Sequence, residues 1–277
     1  MSYLTPPGSG RAARAVPPGP VAWPGPAGPA ARTGARPRLG VPGFAHPLLA
    51  PAEWGELLRP GTALDWAVLG GAAMAAVPGG PTGGPGSRPD PYVLDAAARL
   101  RDAGVRFLGH LDLARGRRPF AELIAEAQHH LSWYRVDGFA LDRAPVGPAA
   151  LPGTRRTAAA LRTLLPGAYV LLVHGSHPAP GYAALADQLV TFCGPWAAHR
   201  LVRPPEWTAG HPPERFCHLV HGVPRHGLDE VLRTARGRGA GTLFVTDRTG
   251  ADGAVPWEVL PGYWDEIVSR TGPGVSE

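Results

Sequence analysis

From Leu39 onward, the chain repeats one pattern of apolar and polar positions. A short apolar run with β-branched or aromatic residues is followed by a loop and then by an amphipathic stretch that ends near a glycine. Such alternation predicts parallel strand–helix units. The apolar runs predict eight strands, at residues 39–44, 64–69, 105–111, 138–141, 169–173, 188–192, 216–220 and 242–246.

The amphipathic stretches between these runs predict helices. The two clearest each carry one apolar face, formed by Val93, Leu94, Ala97 and Leu100 in residues 91–103 and by Leu123, Ile124, Ala127 and Leu131 in residues 120–134. Residues 155–165, 227–238 and 257–268 repeat the pattern, whereas the helices around Ala183 and Ala197 are short. Eight such units in one block predict an α/β fold, a single (β/α)₈ TIM barrel, rather than an open sheet.

The segment before this block has a different composition. Prolines interrupt residues 2–37 so often that no helix or strand ladder can form, and we expect a disordered Pro/Gly/Arg-rich tail over residues 1–38. The predicted organisation is this tail, the barrel over residues 39–270 and a flexible carboxyl terminus over residues 271–277. The best candidate for a secretory signal, residues 21–31, is broken by prolines. We therefore expect a cytoplasmic protein, or a secreted one if the true start codon lies elsewhere.

Charge and composition exclude two classes of partner. The 277 residues contain 27 basic side chains, all arginine, and five of these lie in residues 1–40, where no acid occurs. The remaining 22 arginines balance all 22 acids, so the folded block is neutral and no nucleic-acid interface is expected. No apolar run is long enough for a membrane helix. We expect a monomer without a cofactor, in which Cys193 and Cys217 are two buried thiols in strands rather than metal ligands.

Ionisable residues follow nearly every predicted strand. Because the loops after the strands converge at one mouth of a barrel, these positions are where barrel enzymes do their chemistry. The residues are His46, His110, Asp112, Asp142, Arg143, His174, His177, Cys193, His221 and Asp247. Each has a structural alternative: His46 could bond a loop carbonyl, Asp112 could form a rim salt bridge, and Asp247 could cap the last helix. Three carboxylates at one mouth nevertheless favour catalysis or ligand binding.

Several segments, taken together and in order, resemble spherulation-specific family 4, the spherulin-4-like proteins. They are GVPGFAHP at residues 40–47, PDPY at 89–92, VDGFALD at 136–142, TFCGPW at 191–196, RFCHLVHGVP at 215–224 and YWD at 263–265. The resemblance implies a (β/α)₈ barrel. It also implies a glycoside hydrolase that cuts α-1,4-linked, galactosamine-containing exopolysaccharide, so an amino-sugar polysaccharide or oligosaccharide is the expected partner.

The same resemblance implies three catalytic acids, and this chain departs from them. The family pattern has an Asp-Glu pair after strand four and a Glu after strand six, and the matching positions here are Asp142, Arg143 and Cys193. The pattern also has an Asn after strand two and after strand five, where this chain has Gly70 and His174. Two of the three acids are therefore replaced.

Glycoside hydrolysis ordinarily needs two carboxyl groups, one to protonate the leaving oxygen and one to act as nucleophile or base. We expect Asp142 to stay ionised beside Arg143 and to stabilise positive charge on the sugar, so that Asp112 or Asp247 would have to donate the proton. The remaining mouth residues are expected to bind substrate, with three aromatic side chains as platforms for sugar rings. The platforms are Phe44, Tyr92 and Trp196. The other residues expected to bind substrate are His46, His110, Arg143, His174, Cys193 and His221.

Two other functions remain open. The barrel could have lost catalysis and bind a glycan or a protein partner. Alternatively, the histidines with Asp112 and Asp247 could form a metal-dependent hydrolase on the same fold. Against the metal site, the first strand supplies His46 alone rather than two histidines. His218 and His221, three residues apart on a strand, should face opposite ways.

Overall fold

The computed structural model describes residues 36–43, 45–59, 61–69, 88–250 and 256–272. Eight parallel strands form a closed barrel in which each strand pairs with the next along the chain and β8 pairs with β1. The strands are β1 Arg38–Val41, β2 Leu64–Leu69, β3 Arg106–Asp112, β4 Gly138–Asp142, β5 Tyr169–Val173, β6 Gln188–Pro195, β7 Phe216–His221 and β8 Thr242–Val245. The predicted (β/α)₈ barrel is confirmed.

Helices follow the strands and pack outside the barrel. They are α1 Pro51–Glu56, α2 Pro91–Asp102, α3 Phe120–His129, α4 Leu151–Leu164, α5 Trp196–His199, α6 Leu228–Gly237 and α7 Trp264–Thr271. Asp90 caps α2, because its carboxylate accepts from the amides of Tyr92 and Val93 at 2.9 and 3.2 Å. None of the helices in the described ranges is both long and apolar enough to cross a membrane.

Several predicted element boundaries are wrong: α4 begins at Leu151 rather than 155, β6 ends at Pro195 rather than 192, and three further elements differ. The predicted helix 120–134 is α3 followed by a π-helical turn, His130–Tyr134, which ends at Arg135 with a positive φ of 51°. The last helix begins at Trp264 rather than 257, after a turn containing Pro261 and Gly262. Strand β1 ends at Val41 instead of reaching residue 44.

The barrel also extends beyond the predicted limits of 39 and 270. Arg38 is the first residue of β1 and pairs with Thr242 of β8. The Arg36 guanidinium donates to the carbonyl of Gly272 at 2.6 Å, and Thr271 is buried at the end of α7. Residues 36–38 and 271–272 are therefore part of the fold. The predicted disorder of residues 1–35 and the predicted flexibility of 273–277 lie outside the described residues.

The amino-terminal ends of the strands form the floor of the barrel. Asp65 pairs there with Arg106 and with Arg38, the latter at 3.3 Å, and the Arg106 guanidinium lies 4.8 Å from the ring centre of Tyr169. We call these four residues the floor cluster. A cavity of about 810 Å³ opens beside it, lined by Arg106, Tyr169, Leu131, Arg135 and Leu164 among others.

Candidate active site

Four polar residues meet where β3 and β4 end, at the opposite end of the barrel from the floor cluster. In the register of the two strands, His110 pairs with Ala140 and Asp112 pairs with Asp142, and Arg143 follows directly. His110 is 2% exposed, and both carboxylates are 7% exposed. We call His110, Asp112, Asp142 and Arg143 the mouth cluster. It brings together four of the residues that the sequence predicted for the site.

Arg143 pairs with Asp112 and not with its neighbour Asp142. Its Nε donates to Oδ1 of Asp112 at 2.8 Å while its Nη2 donates to Oδ2, so the pair is bidentate. Burial alone would raise the pKa of Asp112, but the hydrogen bonds from Arg143 and from the amide of Ala114 outweigh it and hold the pKa below its usual value. Asp112 is therefore an ionised acceptor. These surroundings are unsuited to the proton donor that Asp112 was expected to be.

The backbone around this ion pair is strained. Ala114, Arg115 and Arg143 have positive φ values of 46°, 58° and 47°, a conformation that costs a residue with a Cβ about 1–2 kcal/mol. The Ala114 amide donates to Oδ1 of Asp112 at 2.7 Å, and the Arg115 amide donates to the carbonyl of Arg143 at 2.8 Å. Strain of this kind persists only where neighbouring contacts enforce it, and such positions cluster at functional sites.

Asp142 contacts histidine instead of arginine. Nε2 of His110 lies 3.3 Å from Oδ2 of Asp142. Behind this pair, Nε2 of His130 donates to the carbonyl oxygen of His110 at 3.0 Å. Burial lowers the pKa of His130 to about 3, so its ring is neutral. The sequence does not identify His130 as a site residue, although Gly109, which has no side chain to block the ring, indicates a close approach there.

Asp247 lies after β8 but is used differently. It is exposed, and its Oδ1 accepts a hydrogen bond of 3.3 Å from the amide of Gly262, in the turn before α7. This contact corresponds to the structural alternative, in which Asp247 fixes the loop into the last helix. No contact joins Asp247 to the mouth cluster among the described residues, so its predicted catalytic role remains a prediction.

The loop after β1 forms one edge of the mouth. Nε2 of His46 donates to Oδ2 of Asp90 at 3.2 Å, and its Nδ1 accepts from the amide of Leu48 at 3.2 Å. The ring of Tyr92, which is 49% exposed, meets the His46 ring edge to face at 6.2 Å. Leu48 is also exposed. We call His46, Leu48 and Tyr92 the rim platform. Asp90, which orients His46, was not among the predicted site residues.

Two predictions about side-chain exposure are wrong. Trp196 is buried in the first turn of α5, where its ring lies 5.5 Å from that of His199 and 5.0 Å from the Arg200 guanidinium, so it offers no open face to a sugar. Cys193 is exposed at the rim, whereas Cys217 is buried as predicted. The predicted platform Phe44 and the substituted position Gly70 lie outside the described residues.

The remaining predicted residues are uncharged groups of the rim. The surrounding protein and the charge of Asp142 raise the pKa of the Cys193 thiol. Burial lowers the pKa of His174 to about 4, and its ring lies 4.9 Å from Tyr182. Burial also lowers the pKa of His221, whose ring meets Trp257 at 5.7 Å. Cys193 and both histidines can act as neutral hydrogen-bonding partners.

The metal-dependent alternative receives no support from the described part of the chain. Within it, no group of three or more His, Cys, Asp or Glu side chains is placed to hold a metal ion. His199 on α5 and His218 on β7 do contact each other, with Nε2 of His199 3.0 Å from Nδ1 of His218. Both side chains are buried. Two ligands of this kind fall short of the usual zinc site.

Known proteins include a matching family and structures with a similar fold. The family model of spherulation-specific family 4 matches residues 40–271. No curated protein sequence matches the chain. The crystal structure of Sph3 from Aspergillus clavatus in complex with GalNAc is similar, with a TM-score of 0.70 and 21% identity over 86% of this chain and 98% of that one. The glycoside hydrolase domain of PelA from Pseudomonas aeruginosa covers 79% of this chain and 98% of its own, at 18% identity and a TM-score of 0.45. At this identity, the likeness to Sph3 shows a shared barrel fold.

Proposed function

Because the chain belongs to spherulation-specific family 4, we propose that it binds an amino-sugar-containing polysaccharide in the mouth of the barrel without cleaving it efficiently. The observation that carries the proposal is the bidentate pair of Arg143 and Asp112. Hydrolysis needs one carboxyl group that can give a proton and one that is ionised. In the mouth cluster, Asp112 is held ionised, which leaves Asp142 as the one carboxylate free of arginine.

The choice of ligand rests on the fold and on the mouth together. The similar barrel of Sph3 was crystallised with GalNAc. In this chain the rim platform offers an exposed aromatic ring and apolar surface, which suit the faces of sugar rings. The mouth cluster adds buried polar groups that can bond sugar hydroxyl, amine or amide groups. An N-acetylgalactosamine or galactosamine oligosaccharide is therefore the first ligand to test.

Titration calorimetry with such oligosaccharides tests binding. We expect saturable binding by the native protein and at least about tenfold weaker binding by Asp142→Asn, because a hydrogen bond to a charged acceptor is lost. Asp95→Asn is the matched control, since Asp95 is an exposed carboxylate on α2 that pairs with Arg99. Equal affinity of the native protein and Asp142→Asn would contradict binding at the mouth cluster.

Glycoside hydrolysis is the second candidate. It is favoured by the contact of Asp142 with His110, because a buried carboxylate oriented by an imidazole suits the stabilisation of positive charge on a sugar ring. The proton would then have to come from Asp247 or from a residue outside the described ranges. In that case Asp142→Asn should lower the release of reducing ends by about 10³-fold while leaving folding unchanged.

A further inference from the structure

We infer that His110 is a positioning residue, whose Nε2–H holds the Asp142 carboxylate in the orientation that faces the ligand. From the sequence alone, His110 is expected to contact the substrate. This inference rests on the proposed function for the meaning of the orientation, but the hydrogen bond itself can be tested without any ligand. Its first support is geometric: the 3.3 Å contact joins two side chains that are almost entirely removed from solvent.

The register of β3 and β4 explains why the two side chains meet. His110 is paired with Ala140, and Asp142 follows two residues later on the same face of β4. The small side chain of Ala140 leaves room for the imidazole to lean toward the end of the neighbouring strand. Asp112, two residues after His110 on β3, is already occupied by Arg143. His110 is therefore directed to the one carboxylate of the cluster that arginine leaves free.

His110 is also fixed from the outside of the barrel. The ring of His130 covers Gly109, where an added Cβ would lie 2.8 Å from its Cγ, so no other residue could occupy position 109 without moving that ring. From there, His130 donates to the carbonyl of His110. The backbone carbonyl of His110 is thus held by His130, while the side chain of His110 contacts Asp142.

The hydrogen bond requires a donor on the imidazole. A carboxylate oxygen accepts hydrogen bonds, so in this contact Nε2 of His110 is the donor. The charged groups that face this ring are Asp142 on β4 and, on its own strand, Asp112 with its partner Arg143. The neutral ring of His130 lies behind it. Nδ1 of His110 is buried and has no hydrogen-bond partner in the described part of the structure.

Two amide variants separate positioning from packing. The amide nitrogen of Gln can reach the place of Nε2, whereas that of Asn reaches only the place of Nδ1. His110→Gln should therefore keep the donor to Asp142, and His110→Asn should lose it although both variants remain polar. The carbon-13 NMR signal of the labelled Asp142 carboxyl group, recorded at one pH, should move in His110→Asn and stay close to its native position in His110→Gln.

Binding of N-acetylgalactosamine oligosaccharides provides the second measurement. We expect affinity within about threefold of native for His110→Gln and about tenfold or more weaker for His110→Asn. Equal losses in both variants, or an Asp142 carboxyl signal that neither variant moves, would overturn the positioning role. If the native protein binds no such oligosaccharide, the proposed function fails, while the NMR spectra still decide whether His110 holds Asp142.

Discussion

The two ends of the barrel hold ion pairs with almost the same exposure but with different surroundings. At the mouth, the side chains of Arg143 and Asp112 are 45% and 10% exposed, and at the floor those of Arg106 and Asp65 are 44% and 8% exposed. Asp65 has a second arginine, Arg38, and none of the four residues of the floor cluster has a positive φ. Asp112 depends on one arginine, which reaches it from a strained backbone.

This difference indicates what each end is built for. The floor disperses its charges over several partners, an arrangement that survives the loss of any one of them. The mouth fixes one carboxylate with a single bidentate arginine and leaves another beside a histidine, an arrangement that orients groups at the expense of backbone strain. The floor has shared ion pairs and the mouth has a strained backbone. This agrees with the general division of barrel proteins into a stabilising face and a functional face.

Acid should have the largest effect on stability, through two buried histidines. His130 and His218 have pKa values lowered to about 3 by burial, and they belong to neither the floor cluster nor the mouth cluster. The unfolded chain protonates these histidines near pH 6.5 but the folded protein does not, so their contribution to stability is complete above pH 6.5 and is lost as the pH falls toward 3.

Between pH 7 and pH 5.5, the free energy of unfolding should fall by roughly 2.5 kcal/mol from these two groups. Denaturant titrations at each pH measure the loss. Hydrogen exchange in residues 130–134 and around His218 should accelerate as the pH falls. A stability that stays constant down to pH 5 would contradict the neutral buried state of these histidines.

Removing one arginine from each end should have unequal effects. Arg143→Ala removes the arginine that pairs with Asp112 and should cost about 2 kcal/mol, less than the 3–5 kcal/mol of a fully buried pair. Arg106→Ala leaves Arg38 beside Asp65 and should cost less than about 1 kcal/mol. In a domain of this size, the first change lowers Tm by about 4–8 °C. Equal losses would show that the second arginine at the floor is irrelevant.

Backbone strain at Arg143 can be isolated by a pair of variants. Arg143→Gly and Arg143→Ala remove the same ion pair, but only glycine adopts a φ of 47° without penalty. Arg143→Gly should therefore be more stable than Arg143→Ala by about 1 kcal/mol. Thermal unfolding of the two proteins in the same buffer gives the difference. A more stable alanine variant would mean that the backbone relaxes once the ion pair is gone.

The smallest effect concerns the start of the chain. Deleting residues 1–35 should leave Tm unchanged within about 1 °C, because the pattern of prolines predicts no packed structure there. Deleting residues 1–38 also removes Arg38 from β1 and from Asp65, and should lower Tm measurably. If the shorter deletion already lowers Tm by several degrees, the prediction of a dispensable tail is wrong.

The barrel could be predicted from sequence because the apolar residues repeat the same pattern in each strand–helix unit. Strand β2 and strand β5 begin and end where the pattern predicted. In both cases an apolar run, interrupted in β2 by Asp65, is closed by a glycine or a polar residue. The last helix could not be placed, because Trp257 continues an apolar pattern that the turn at Pro261 and Gly262 interrupts.

The mouth was predicted only in part, because its contacts depend on geometry that residue types do not encode. Sequence order places Arg143 beside Asp142, yet a positive φ turns its side chain back to Asp112 on the neighbouring strand. An arginine residue has no intrinsic preference for a positive φ. The burial of Trp196 is likewise decided by the start of a short helix, and the partner of Asp247 is fifteen residues away at Gly262.

Binding and cleavage measured on one sample test the central claim most directly. The native protein is incubated with a saturating N-acetylgalactosamine oligosaccharide, calorimetry records binding, and mass spectrometry records shortened chains over several days. With Asp112 held ionised by Arg143, we predict saturable binding and no more shortened chains than Asp142→Asn produces. Chain shortening by the native protein that Asp142→Asn abolishes would contradict the claim and would establish the mouth as a working hydrolase site.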